Sequence, residues 1–172
     1  EIVNNSPGST SIKSFIPIES LLEVGCSCGP NIKAIKKEID IKKIVGIDIS
    51  KESIELAKTI MPQHEWKVAN VKDLPFSYHE FDVVLADAVF MYVDSKNIEK
   101  TIRGLSRLAK KGIIIVDWFS EKEEIKNYHW ARNYPKILEN YGFEVKTMPF
   151  TKETWLNESW IQDGKLFVAR RA

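Results

Sequence analysis

The feature that most constrains this chain is an alternation: short apolar runs of strand length take turns with segments whose apolar residues recur at helical spacing. Leu21-Leu22-Glu23-Val24 comes first, meets a Cys/Gly turn, and is followed by Ile32, Ile35 and Ile39 at helical intervals. Lys43 to Asp48 reads as the second strand, then Ser50 as an N-cap and Ile54, Ala57 and Met61 on one helix face, which Pro62 ends. Glu65 to Ala69 and Phe81 to Ala86 read as the third and fourth strands. Ile98, Ile102, Leu105 and Leu108 mark a helix before a fifth strand, Gly112 to Asp117, with its Ile-Ile-Ile-Val run. Strands this continuously apolar must be covered on both faces, so the expected class is α/β: a doubly wound, mostly parallel sheet with helices on both sides.

Beyond the fifth strand, Glu121 to Trp130 reads as helical, its charge run Glu121-Lys122-Glu123-Glu124 being a solvated first turn. Pro135 opens a further turn that runs to Tyr141 and stops at Gly142. Phe143 to Met148 and Leu166 to Ala169 are the last strands, about seven in all; the connection between them is too short for the usual crossover, so the final strand is expected antiparallel. Trp155 and Trp160 are expected to cover these strands. No repeat or linker divides the chain, so residues 1–172 read as one domain: a lead-in over 1–20, a core over 21–117, and helices and closing strands over 118–172. The chain opens on Glu1 rather than Met, so the lead-in reads as trimmed.

Composition excludes several classes. With 44% hydrophobic and 28% charged residues the chain is neither disordered nor a membrane bundle, and a net charge of +1 gives no global footprint for nucleic acid. Cys26 and Cys28 are too close for an unstrained bridge, and there is no basic n-region with an apolar segment behind it, so a reducing, cytoplasmic setting is expected. No metal is expected: a second Cys pair is lacking, and His64, His79 and His129 are far apart in sequence.

Open parallel sheets bind ligands at the carboxyl ends of their strands. After the first strand stands Glu23-Val24-Gly25-Cys26-Ser27-Cys28-Gly29, whose glycines allow a tight turn and close backbone approach. Asp48 ends the second strand 19 positions after Gly29, a spacing that suits a carboxylate accepting from ribose hydroxyls. The spacing Gly25-x-x-x-Gly29 lacks the three-glycine fingerprint of a pyrophosphate site, which points to a nucleoside ligand without a diphosphate.

Leu22 to Gly29 together with Gly46-Ile47-Asp48-Ile49-Ser50 resembles the class I S-adenosylmethionine-dependent methyltransferases, most of all their small type 11 branch. Ala69 to Phe76, Phe81 to Val89 and Lys111-Gly112 are similar to three further segments of that family in the same order. The resemblance covers roughly Leu21 to Asp117 and implies a Rossmann-like fold, S-adenosyl-L-methionine as cofactor and methyl transfer as the activity. It implies that Gly25, Cys26, Ser27 and Gly29 pass under the methionine part, with Glu23 positioning its amino group. Asp48 would take the ribose hydroxyls, Ile49 the adenine face, and Asn70 and Val71 the adenine edge. Ala86 would meet the methionine end by its backbone, and Asp87 would sit beside the transferring methyl. The chain departs from the family's pattern at Ser27 for the middle glycine, Cys28 for Thr or Ser, Asn70 for Asp, and Tyr92 for His.

A sulfonium makes its methyl carbon an electrophile, so the protein's task is to align a nucleophile and exclude water. Asp87, Tyr92 and His129 are the candidate bases by segment position, and Phe90, Trp118 and Arg132 the candidate acceptor-binding residues. The expected partner is a small-molecule acceptor, aromatic or apolar, with no membrane. An RNA acceptor, for which no binding appendage is evident, and a non-catalytic cofactor-binding subunit of a larger complex are the alternatives, and an oligomer or partner chain stays open.

Overall fold

The computed structural model describes residues 7–152 and 157–172. Its strands are β1 (Ser20–Val24), β2 (Lys43–Asp48), β3 (Glu65–Val68), β4 (Phe81–Asp87), β5 (Ala109–Trp118), β6 (Glu124–Lys126), β7 (His129–Ala131), β8 (Phe143–Pro149) and β9 (Gly164–Arg171). Seven of them form the central sheet, in the order β3-β2-β1-β4-β5-β9-β8. The first five pair in parallel, and β9 runs antiparallel to both β5 and β8. The strand alternation and the antiparallel close read from sequence are therefore both present.

Side chains alternate across this sheet into two cores, as the period of a strand requires. One face is covered by α1 (Pro7–Ser11), the turn Ile12–Phe15, α2 (Pro30–Glu38) and α3 (Lys51–Ile60), and the strands send Leu21, Val83, Leu85, Ile114 and Val116 into it. The other is covered by α4 (Ile98–Leu108) and α5 (Tyr134–Glu139), and receives Leu22, Val24, Val84 and Ile115. Ser50 caps α3 as expected, its hydroxyl accepting from the Ser53 N–H at 3.1 Å. Asn133 Oδ1 does the same for α5 with the Lys136 N–H. Because chain order runs outward from β1 through β2 to β3 and then returns to β4, strand order reverses between β1 and β4. That switch point opens a crevice at the carboxyl ends of these strands.

One segment differs from the sequence reading. The stretch expected to be helical from Glu121 to Trp130 is a hairpin in which β6 pairs with β7. Asn127 and Tyr128 sit between them at φ 45° and 68°, the left-handed pair that a two-residue hairpin turn needs and that breaks any helix. The acids of the charge run are engaged by side-chain partners rather than by a helix end: Glu121 accepts from Asn133, Glu123 from Arg132, and Glu124 from Ser120. Trp160, on α6 (Glu158–Asp163), packs on Trp118 and Phe150 beside the closing strands, while Trp155 lies outside the described residues. Among the described residues no helix is long and apolar enough to cross a membrane.

Candidate cofactor site

The loop after β1 turns through Gly25 (φ +69°) and Gly29 (φ +87°), left-handed backbone that glycine adopts without strain. A β-carbon on Gly25 would lie 2.4 Å from Val89 Cγ2, so this loop can lie against the segment after β4 only because the residue is glycine. Ser27 also takes a left-handed angle, φ 49°, and its N–H donates to Asp48 Oδ2 at 2.8 Å. The other Asp48 oxygen accepts from the Ser50 N–H at 2.9 Å, and the Cys26 N–H donates to the Ile47 carbonyl at 2.9 Å. The tips of β1 and β2 are thus laced into one rim by main-chain donors.

Between this rim and the segment after β4 lies a cavity of about 390 Å³. Of the residues assigned from sequence, Gly25, Asp48, Ile49, Asn70, Val71 and Tyr92 line it, joined by Lys72, Val89 and Val93. Ile49 is 73% exposed, an apolar side chain on the cavity wall that a flat ring would cover. Asn70 Oδ1 accepts from the Lys72 N–H at 3.0 Å, which fixes the turn that carries Asn70 and Val71. Cys26 and Ala86 bury their side chains in opposite cores, so any contribution they make is through the main chain. Gly29 sits under Met61 and Trp66 at the head of α2.

Glu23 and Asp87, near the tips of the neighbouring strands β1 and β4, form an acidic pair. Asn31, in the first turn of α2, bridges them: its Nδ2 donates to Glu23 Oε1 at 2.8 Å and to Asp87 Oδ2 at 3.2 Å. Glu23 is 1% exposed, and its Oε2 has no hydrogen-bond partner among the described residues. Burial pushes its carboxyl up to about 8, opposed by the Asn31 bond and reinforced by the charges of Asp87 and Asp48. Asn31 is absent from the sequence reading; its place two residues beyond Gly29, in a helix start aimed at the strand tips, is the signal available.

On the other side of the crevice the sequence-assigned residues divide. Tyr92 and His129 meet edge to face, ring centroids 5.1 Å apart, and His129 meets Trp118 at 5.3 Å. Trp118 Nε1 and His129 Nδ1 are buried and have no partner among the described residues. Of the residues assigned to catalysis or the acceptor from sequence, Tyr92 lines the cavity, whereas Asp87, His129, Phe90, Trp118 and Arg132 do not. Phe90 is wholly buried against Tyr134, and Arg132 is 1% exposed, its guanidinium donating to the Phe90 and Val93 carbonyls and to Glu123. The hairpin that stands in place of the expected helix turns Arg132 inward onto the Phe90 segment.

Asp117, near the end of β5, is a further residue that sequence reasoning passes over. Wholly buried, it accepts from the Phe90 N–H at 2.8 Å, the Met91 N–H at 3.3 Å and the Trp118 N–H at 2.8 Å. Burial pushes its carboxyl up to about 7 against those three bonds. Among the described residues no group of His, Cys, Asp or Glu is placed to hold a metal ion.

The family model described as "Methyltransferase domain" matches residues 21–112, from β1 into β5. The chain belongs to this family. It is 31% identical over 151 residues to the uncharacterized protein MJ1123 of Methanocaldococcus jannaschii, covering 78% of this chain and 69% of that one. It is 30% identical over 147 residues to the O-methyltransferase rstn1 of Aspergillus nomiae, covering 74% and 65%. Across four curated relatives the share of the relative's length that this chain spans runs from 44 to 69%. Magnesium protoporphyrin IX methyltransferase from Synechocystis PCC 6803, solved with bound S-adenosylmethionine, has the same fold at a TM-score of 0.73 and 14% identity, covering 99% of this chain and 81% of its own.

The family uses S-adenosylmethionine, and the residues here fit that molecule. A carboxylate oxygen accepts more than one hydrogen bond, so Asp48 retains capacity for hydroxyls beyond its two main-chain donors. The unpartnered Glu23 Oε2 offers a buried acceptor for an ammonium, and exposed Ile49 a face for adenine. The only basic residue lining the cavity, among those described, is Lys72, which is 3.5 Å from Asp94; nothing there resembles a phosphate cradle.

Proposed function

We propose that this chain transfers a methyl group from S-adenosylmethionine to a small-molecule acceptor, aromatic or apolar, by in-line displacement. The observation that carries the reading is the lining of the cavity, with Asp48 as a ribose-type carboxylate, the exposed Ile49 as an apolar wall, and Lys72 as the one basic residue among the described lining residues. When bound, the cofactor supplies a methyl carbon already activated by the sulfonium. The chain's part is then placement and exclusion of water.

Asp48 would hold the ribose, and the Gly25 to Gly29 loop, Glu23 and Ala86 the methionine end. Ile49, Asn70 and Val71 would hold adenine. Asp87 would stand at the methionine end, where a carboxylate favours a sulfonium. Tyr92 faces the acceptor, with the His129 and Trp118 rings packed in turn behind it. For a hydroxyl acceptor, a base must take its proton as the methyl transfers, and Asp87, Tyr92 and His129 are the groups offered for that. The similarity to a fungal O-methyltransferase supports an oxygen acceptor.

The test is transfer of labelled methyl from S-adenosylmethionine in the presence of fractionated small metabolites or of total RNA. Label in a low-molecular-weight product, with stoichiometric adenosylhomocysteine, is expected. Label confined to a nuclease-sensitive polymer would replace the acceptor assignment, and cofactor binding without transfer to either pool would replace the enzyme by a binding subunit.

A further inference from the structure

The segment after β4 that closes the cavity is fastened from behind by two buried charged groups. Its short 3-10 turn, Phe90–Tyr92, presents Tyr92, 70% exposed, to the cavity. At the amino end of that turn the Asp117 carboxylate accepts the N–H groups of Phe90 and Met91. At its carboxyl end Arg132 Nη2 donates to the carbonyl of Val93, the residue that ends the turn, at 2.5 Å, while Nη1 donates at 2.8 Å to the carbonyl of Phe90, the turn's first residue. An anion at the donor end and a cation at the acceptor end match the dipole of the turn.

The guanidinium in turn is paired with Glu123, whose other oxygen accepts from Ser95 Oγ at 2.5 Å, on the same segment. Glu123 immediately precedes β6 and Arg132 immediately follows β7, so the base of the hairpin carries the fastening while His129, on β7, touches the Tyr92 ring. A buried guanidinium is strongly unfavourable unless its acceptors stay in place, and its rigid fork tolerates little displacement of them. The position of Tyr92 is therefore specified by residues that never reach the cavity.

We propose that Arg132 and Asp117 are positioning residues that clamp the turn Phe90–Tyr92 at its two ends, with Glu123 setting Arg132, and so hold Tyr92 against His129 at the acceptor side of the cavity. The proposal goes beyond the methyl-transfer reading, and its consequence for acceptor choice rests on that reading; the clamp itself does not.

The experiment uses the full chain labelled with 3-fluorotyrosine, so that each of its five tyrosines carries one fluorine reporter. Tyr92→Phe assigns the Tyr92 line, and Tyr78, stacked on His79, serves as the internal control. In the unsubstituted protein the Tyr92 line is offset from its position in denaturant by the facing His129 ring. In Arg132→Ala and Asp117→Asn that offset is lost while the Tyr78 line holds. Glu123→Gln, which keeps a hydrogen-bond acceptor and disturbs the fold least, shifts the line part of the way and carries the test if the other two do not fold. A Tyr92 line unmoved in folded variants, with only the melting temperature lowered, overturns the clamp. Adenosylhomocysteine titrated into the unsubstituted protein is read separately: absence of binding removes the methyltransferase reading and leaves the fluorine result standing.

Discussion

The two walls of the crevice are built by different means. The wall at the tips of β1 and β2 is local and main-chain: left-handed backbone at Gly25, Ser27 and Gly29, and one carboxylate, Asp48, gathering N–H groups two and 21 residues away. The wall after β4 is assembled from side chains brought over long distances, with Asp117 reaching Phe90 across 27 residues and Arg132 reaching it across 42. Backbone chemistry of the first kind leaves glycines and an acid at strand ends, which a sequence displays. Partnerships of the second kind leave no local mark.

The substitution with the largest expected effect joins the two walls. Gly25→Ala forces an L side chain into left-handed backbone and into Val89, and destabilisation of roughly 2 to 5 kcal/mol is expected from the two costs together. Adding Val89→Ala should recover the packing part and not the backbone part, as thermal melts of the single and double variants will show. Full recovery would mean the glycine is there for space alone.

Next is Asp48→Ala, which should weaken adenosylhomocysteine binding about tenfold or more, since a hydrogen bond to a charged group contributes roughly 1.5 to 3 kcal/mol. Calorimetric affinities within a factor of about two of each other would take Asp48 out of the ribose role.

Glu23 separates stability from binding. Its folded carboxyl titrates near 8, above the ordinary 4.5, so between those values the folded chain holds a proton that the unfolded chain has lost. Its contribution to stability is therefore greatest below about 4.5 and is lost as pH rises toward 8. Glu23→Gln should flatten that part of the pH dependence and raise the melting temperature of the free protein at pH 8 by an amount worth about 1 to 3 kcal/mol, while weakening the cofactor. Asp117, folded near 7, slopes the same way over a lower window and survives in this variant as the control. An unchanged pH slope would show that Glu23 is ionised in the folded chain. The smallest effect belongs to Ser27→Gly, where relief of the left-handed angle should leave stability equal or raise it by up to about 1 kcal/mol in the same melts.

The contrast between the walls also explains how far the sequence can be read. Strand alternation, the glycine turn, Asp48, Ile49, Asn70 and Val71 follow from periodicity, turn chemistry and family likeness, and the site residues among them fall at the crevice. The hairpin does not follow: Glu-Lys-Glu-Glu favours a helix start, and only the left-handed pair Asn127-Tyr128 overrides it. With a helix in its place, Arg132 is assigned to the acceptor although it turns into the protein, and Asp117 looks like no more than the end of a strand. Asn31 is missed for a related reason, because its bridge spans Glu23 on one strand and Asp87, 56 residues away, on another.

The central claim, that the crevice between these two walls clasps an adenosyl sulfonium, is tested most directly by titrating the intact chain with S-adenosylmethionine and adenosylhomocysteine in a calorimeter, alongside Asp48→Ala. The account predicts saturable one-to-one binding of both by the native sequence and a marked loss in the variant. Silence toward both ligands, or binding indifferent to Asp48, would contradict it.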